Sequence, residues 1–397
     1  MDSCNNTKVN GLIFTRYLYI KEEVKCALIL ALLGKHEDIA LFWGYELYYS
    51  GFEKETFAFL WSIYYDFYAS INPAFEPYFI STHKEWIKNN SLENNLGNII
   101  INLCIRPFST DVFMLKNVVD QFVVDTNTMD KVISGVSSQK PELHIKIADW
   151  IAEHNYECLA QYILIECADS ELFIILEEAC AYFTWNGLVL NKNKVMGGFK
   201  KMLLYSSKHV LNMGRIITLG RIMQFYSMQT SIVKPKNIYL VMEDCDLTQF
   251  KTLMKTMKPN KILPLVYKYG INISGSLGLF NVNNTNKNAN DNIVNCYHLK
   301  WLYYASLSPY WLNVIVSYDA IQDHNNQKII FKDVIKEEEF YEDYWLDADE
   351  QTLEVQLKST QQIDKANIRE FYLKHKQHNV VNICDEYLND FETISTF

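Results

Sequence analysis

The chain has 397 residues, 49% hydrophobic and 14% aromatic, with 37 Lys/Arg against 47 Asp/Glu and a formal net charge of −10. This is the composition of a folded globular protein, long enough to bury a core without metal or disulfide staples, and it excludes a disordered or collagen-like chain. The acidic balance argues against a protein that is cationic throughout and coats nucleic acid.

The first ten residues lack the positive flank and apolar core of a secretory signal. The densest apolar run, Cys26 to Leu33, is bracketed by Lys25 and Lys35. It would reach about 12 Å as a helix, where a membrane span needs about 20 residues, so no membrane partner is expected. The nine cysteines are odd in number, scattered, and never spaced C-x-x-C. They predict free thiols in a reducing compartment, cytosol or nucleus, and no zinc ribbon.

In chain order, the spacing of Val24, Ala27, Leu28, Ala31 and Leu32 predicts a helix from Tyr19 to Gly34. Glu37 to Ser50 forms the next, with Gly51 as its C-cap, and Glu53 to about Asn72 a third, both dense in Trp, Tyr and Phe. Asn72-Pro73 opens a fourth, Thr110 caps another, Pro141 opens one, and Asp169 caps the run Glu171 to Tyr182 that Gly187 closes. Short connections make such helices antiparallel neighbours. No fixed repeat period is present, so an irregular helical bundle is expected ahead of a solenoid-like helical array. Asn237 to Met242, Leu312 to Tyr318 and Lys328 to Phe331 are β-capable, and Ser308-Pro309 starts a further helix. Eight of the fifteen residues from Asn281 to Asn295 are Asn, which marks a linker. The expected fold is mainly α with a smaller α+β C-terminal portion. Its expected parts are an aromatic-rich helical domain 1–187, a basic helical segment 188–280, a linker 281–295 and an acidic C-terminal portion 296–397.

Charge is segregated. Residues 188–270 hold fourteen Lys/Arg and three acids, a net of +11, which leaves −21 for the remainder. The members singled out are Lys192, Lys194, Lys200, Lys201, Lys208, Arg215 and Arg221. They predict a solvated face, a surface for an acidic protein or for the chain's own acidic segment, or a nucleic-acid contact. Nearby Phe199, Tyr205, Phe225 and Tyr226 could stack on bases or belong to the core. The acidic segment interleaves Glu339, Tyr341, Glu342, Asp343, Tyr344, Trp345 and Asp347, a pattern suited to docking on a basic, apolar-floored surface. The aromatic helices from Phe42 to Phe79 read as a thick core, or as a Tyr/Trp-rich groove for a partner.

Motifs for chemistry are sparse. Asp244 and Asp246 form an Asp-x-Asp that could grip a divalent cation in a transferase, or simply begin a helix whose dipole favours acids. His154 with Cys158, and His375 with His378, are pairs that share helical faces without a third ligand. No nucleophile elbow, zinc-protease or phosphate-loop spacing occurs. No catalytic residue, metal or cofactor is therefore expected.

Arg16 to Leu28, Ala40 to Glu53 and Ile63 to Tyr68 resemble an immediate-early infected-cell protein family, of about 46 kDa, from iridoviruses and other nucleocytoplasmic large DNA viruses. Trp301 to Ala305, Ser308 to Trp311 and Tyr341 to Asp347 resemble its C-terminal pattern, and abundant Asn, Ile and Lys suit an AT-rich viral genome. The resemblance implies an early-expressed intracellular viral protein, in the host cytoplasm or nucleus, that alters host growth or gene expression. It carries over no catalytic residue. The expected function is a non-enzymatic regulatory or adaptor protein that binds a host or viral protein. A nucleic-acid-binding regulator using 188–270 and a metal-dependent transferase at 244–246 are the alternatives.

Overall fold

The computed structural model describes residues 13–125, 140–210, 213–230, 238–251, 300–344 and 368–383. The fold is mainly α, with one antiparallel two-stranded sheet among the described residues. The chain forms two compact units whose pieces alternate along the sequence. Unit 1 comprises 1–56, 90–104 and 240–368; unit 2 comprises 57–89, 105–239 and 369–397. The successive domains expected from sequence do not match this alternation: 1–187 contributes to both units, and the basic segment divides at 239/240. The linker 281–295 lies outside the described residues.

In unit 1, α1 (Lys21–Leu33), α2 (Glu37–Leu47) and α5 (Asn94–Cys104) pack together. Val24, Leu28, Leu32, Trp43, Tyr45, Ile99 and Ile100 are buried at 0–1% exposure, as the apolar spacing of α1 predicts. After α2 the chain kinks at Gly51, whose φ of +90° breaks the helical run before α3 (Glu53–Ile63). A Cβ there would lie 2.5 Å from Pro309 Cβ, so the conformation and the close approach both require glycine.

Arg16 and Glu46 form a buried ion pair at 2.9 Å. Arg16 Nη2 also donates to the Phe250 carbonyl at 2.8 Å, at the end of α12 (Asp244–Lys251). Burial pushes the Glu46 carboxyl up, and the Arg16 guanidinium opposes this. A second cluster gathers Phe14, α13 (Trp301–Ala305), α14 (Pro309–Ser317), β1 (Ala320–Asp323), β2 (Lys328–Phe331) and α15 (Val334–Tyr344) around Trp311, Ile315 and Phe340. Ser308 caps α14 by accepting from Trp311 N–H. The run 312–318, expected as β-capable, is mostly helical, because the cap and Pro309 set a helix that buries Trp311 and Ile315 on one side.

Among the described residues, 238–242 form no helix and pair with no strand. In unit 1, side-chain amides of α5 take a strand's place. Asn102 accepts from Leu240 N–H at 3.0 Å and donates to its carbonyl at 2.7 Å, and Asn98 accepts from Met242 N–H at 2.6 Å. The two asparagines stand one helical turn apart, while the residues they hold are two apart, close to the same axial distance.

Unit 2 contains α4 (Phe75–Lys88), α6 (Asp111–Asp125), α7 (Lys140–Ala152), α8 (Tyr156–Gln161), α9 (Leu172–Trp185), α10 (Lys192–His209), α11 (Gly214–Thr230) and α16 (Ile368–His375). It also holds most of α3 (Glu53–Ile63) and the π-helical turn Tyr64–Tyr68. The fourth helix starts at Phe75 rather than at Pro73. Its centre is aromatic: Trp61 lies flat on Phe79 at 3.7 Å and Phe57 on His83 at 4.6 Å. Asp111 accepts from Val380 and Val381 N–H at 3.0 and 3.1 Å, and Thr110 accepts from Asn379, so the chain beyond α16 is tied to the start of α6.

Candidate interaction surface

Helix α10 contains no acidic residue. Asn191 caps it by accepting from Lys194 N–H at 3.0 Å. Phe199, Met202, Tyr205 and Ser206 are buried, while Lys194, Gly197, Lys201, Leu204 and Lys208 are exposed. That second set recurs at i, i+3, i+7, i+10 and i+14, one straight stripe on a helix. Lys194, Lys201 and Lys208 thus stand two turns apart, at roughly 10.5 Å intervals over about 21 Å of axis. Lys200 is exposed beside them. None of these four lysines is held by a carboxylate among the described residues.

Lys192, at the first position of α10, is paired with Glu177 of α9, whose hydrogen bond raises its pKa. At the other end, burial lowers the pKa of His209, as do the adjacent Lys208 and Lys84 charges. Positive charge therefore extends from α10 onto α4.

The turn between α9 and α10 carries the most exposed large apolar side chains described, Trp185 at 90% and Val189 at 96%. Beside it lies a recess of about 490 Å³ lined by Cys180, Ala181, Thr184, Trp185, Leu190 and Lys192. Gly187, at φ +91°, reverses the chain there. Sequence reading placed Gly187 correctly as a helix end but found neither the recess nor the exposed indole; the available signal was that Trp185 falls off the stripe Ile175, Ala179 and Phe183.

Of the two expected basic-surface arginines, Arg221 is internal and Arg215 is half-buried. Arg221 Nη2 grips Glu76 at 2.5 and 2.7 Å in the interior of unit 2, and Tyr65 Oη donates to the same carboxylate at 2.7 Å. Burial alone would lower the guanidinium pKa; the Glu76 carboxylate beside it outweighs burial and raises it. Arg215 donates to the carbonyls of Leu164 and Cys167 at 2.8 Å each, closing the end of a helical turn. An arginine in a basic run looks alike whether it faces water or, as Arg221 does, a buried carboxylate. Phe199, Tyr205, Phe225 and Tyr226 are all at most 6% exposed, so no ring there is open to stack on a base.

The acidic segment divides by face. Phe340 is buried, and Tyr341 and Tyr344 are half-buried within the cluster of unit 1, where Tyr344 packs on Trp311 at 5.4 Å. Glu337, Glu338, Glu339, Glu342 and Asp343 are exposed; Glu339 pairs with Lys336 at 2.6 Å, and Tyr318 donates to Asp343. The aromatic residues expected to dock on a basic surface thus fill their own unit's core. Trp345 and Asp347 lie outside the described residues.

The remaining candidates separate clearly. From Trp43 to Phe79 most aromatic rings are buried, a core rather than an open groove. Asp244 and Asp246 sit exposed in the first turn of α12, Asp244 accepting from Asn94 at 3.4 Å. His154 contacts Tyr156 Oη at 2.9 Å, while Cys158 is exposed. Burial, with Lys374, lowers the pKa of His375 to about 4. Among the described residues no group of three or more His, Cys, Asp or Glu is placed to hold a metal ion, and no helix is long and apolar enough to cross a membrane.

No family model, curated protein or solved structure matches this chain. The α10 surface is therefore read from its own chemistry: a row of ammonium groups that can donate to carboxylates or phosphates.

Proposed function

We propose that the chain is an early viral regulatory or adaptor protein that performs no bond chemistry and binds an acidic protein through α10. The observation that carries this reading is the line of Lys194, Lys201 and Lys208 on a helix without a carboxylate, its opposite face anchored by Phe199, Met202 and Tyr205. Like-charged side chains on one face repel each other modestly, and a negative partner relieves that repulsion. The resemblance of Arg16 to Leu28, Ala40 to Glu53 and Ile63 to Tyr68 to the immediate-early family supports the viral, intracellular assignment. The test is affinity capture with chemical crosslinking from infected cells, using the full chain and a Lys194→Glu/Lys201→Glu/Lys208→Glu variant. The reading expects acidic proteins captured by the native chain and lost from the variant. Identical capture by both overturns it.

A second reading, nucleic-acid binding, draws on the same row of lysines, since Lys residues displace counterions from phosphates. The burial of all four neighbouring rings weighs against it for single strands. It requires binding to an oligonucleotide at about 50 mM salt, with a log–log salt slope near −3 for three phosphate contacts. Absence of binding under those conditions removes it.

A further inference from the structure

Resting on the α10 reading above, we infer that the acidic partner is a second copy of this chain, whose α15 lies antiparallel along the lysine stripe of α10. Helix α15 carries the acidic counterpart. Ile335, Glu338, Glu339 and Glu342 are all exposed, and they recur at i, i+3, i+4 and i+7, one stripe on a helix. Away from that stripe, Phe340 anchors α15 in the core of unit 1. Glu339 is paired with Lys336, whereas Glu338 and Glu342 form no ion pair among the described residues. Ile335 stands among these carboxylates at 62% exposure, as Leu204 stands among the lysines of α10 at 63%.

The two stripes share a register. On α10, Lys201 and Gly197 precede Leu204 by three and seven residues. On α15, Glu338 and Glu342 follow Ile335 by the same two steps. With Ile335 set on Leu204 and the helices antiparallel, Glu338 comes level with Lys201 about 4.5 Å along the axis, and Glu342 with Gly197 about 10.5 Å along. Run parallel, Glu342 would fall beyond His209, the last residue of α10. Gly197 leaves room where the antiparallel contact needs it. A Cβ there would meet nothing within 4 Å among the described residues, so no neighbour requires the glycine, which weakens a helix interior relative to alanine. Its bare backbone seats the Glu342 side chain, with Lys194 on one side and Lys200 and Lys201 on the other to receive the carboxylate. Two chains of net charge −10 repel at long range, but at 0.1 M salt the screening length is about 10 Å, so the charges at the contact dominate. Exposed ion pairs are individually weak, which makes the association reversible and dependent on chain concentration. The contact joins unlike surfaces, and every copy offers one of each.

The experiment is sedimentation velocity of the full chain at about 100 μM and about 0.1 M salt. The native chain should sediment faster than a single chain, and return to the single-chain value at about 1 M salt, where screening is nearly complete. Lys194→Glu/Lys201→Glu and Glu338→Lys/Glu342→Lys should each sediment as single chains. Their equimolar mixture should associate again, because each supplies the charge that the other has lost. Melting curves confirm that both variants fold, as their exposed positions predict. A native chain that stays single, association that survives either charge reversal, or a mixture that fails to associate overturns the inference. Fluorescence anisotropy with labelled polyglutamate tests the α10 reading separately. Binding by the native chain that Lys194→Glu/Lys201→Glu loses leaves that reading standing even if self-association fails; absence of polyglutamate binding removes it as well.

Discussion

At the scale of single residues, buried charges and imidazoles set the behaviour of unit 2. Glu76 and Arg221 have side chains only 10% and 14% exposed, so either one left alone would be a desolvated charge. Arg221→Met should destabilise the protein by about 3–5 kcal/mol, and Glu76→Gln/Arg221→Met by clearly less, because replacing both partners removes the orphaned charge. Urea unfolding of the two variants checks this; equal losses would show that packing, not charge, matters there. His83 accepts from Trp61 Nε1 at 3.1 Å and lies 2.6 Å from Tyr205 Oη, both through Nδ1. An indole N–H can only donate, so Nδ1 carries no proton and the neutral ring is protonated on Nε2. Burial, with a smaller contribution from His209, lowers the His83 pKa to about 4. His375 is likewise held down to about 4, against an unfolded value of about 6.5. A depressed histidine contributes stability that is present above the unfolded pKa and lost as pH falls towards the folded one. Asp111, raised by burial to about 6, runs the other way: its contribution is present below about pH 4 and lost as pH rises through 6. His83 and His375 should therefore each withdraw stability as pH falls from about 6.5 to 4, roughly 3 kcal/mol for His83, while Asp111 and Glu46, whose carboxyls are raised by burial, oppose this. His83→Gln, which keeps an acceptor for Trp61, should flatten that fall by about one proton's worth. An unchanged slope in denaturant titrations would refute the assignment.

At the scale of elements, Gly51 shows where local conformation and packing demand the same residue. Gly51→Ala would force a Cβ into φ +90° and within 2.5 Å of Pro309 Cβ. Destabilisation of about 1–3 kcal/mol is expected, read as a lowered melting temperature. The sequence marks Gly51 as a helix end, and its φ of +90° and ψ of 19° break the helical run there, between α2 and α3. Helices α1, α2, α6 and α9 announce themselves by apolar spacing and caps, and Pro309 marks the start of α14, but most of α14 reads as β-capable and neither α5 nor α15 was read as a helix. The run 238–242 was harder to read, because its partner is not a strand. The signal lay in α5, where Asn98 and Asn102 stand one turn apart in an otherwise apolar helix, and buried amides at that spacing imply a backbone to hold. Asn102→Ala should unpair two groups of Leu240, at about 1–3 kcal/mol. Faster hydrogen exchange at Leu240 is the readout, and protection equal to the native chain would contradict it. For the candidate site, the lysine stripe of α10 was legible as charge. The inward fate of Arg221 was not, because its partner Glu76 lies 145 residues away.

At the scale of the whole molecule, the chain passes between its two units five times, and this decides what can be cut away. A boundary near residue 187, natural from composition, would strip both units at once. Unit 1 would lose Met242 and Phe250, which both contact Tyr45, and Trp311, which donates to the Thr15 carbonyl. Unit 2 would lose Tyr205 from His83, Arg221 from Glu76 and the buried stripe of α11. A fragment of residues 1–187 therefore keeps its helical propensity but leaves two half-built cores, each with large aromatic rings turned to water. Such a chain should retain far-ultraviolet helical signal, bind a hydrophobic dye and unfold without a cooperative transition, the marks of lost specific packing. A sharp, dye-free unfolding curve for that fragment would mean that the first half is a self-sufficient domain after all. The same alternation bears on the charge pattern. Nine of the fourteen basic residues in 188–270 belong to unit 2 and five to unit 1, so a block contiguous in sequence is divided between the units. The α10 lysines must act as a local site on unit 2, and substitutions at Lys251 in unit 1, already paired with Glu93 at 2.9 Å, should leave acidic-peptide binding unchanged.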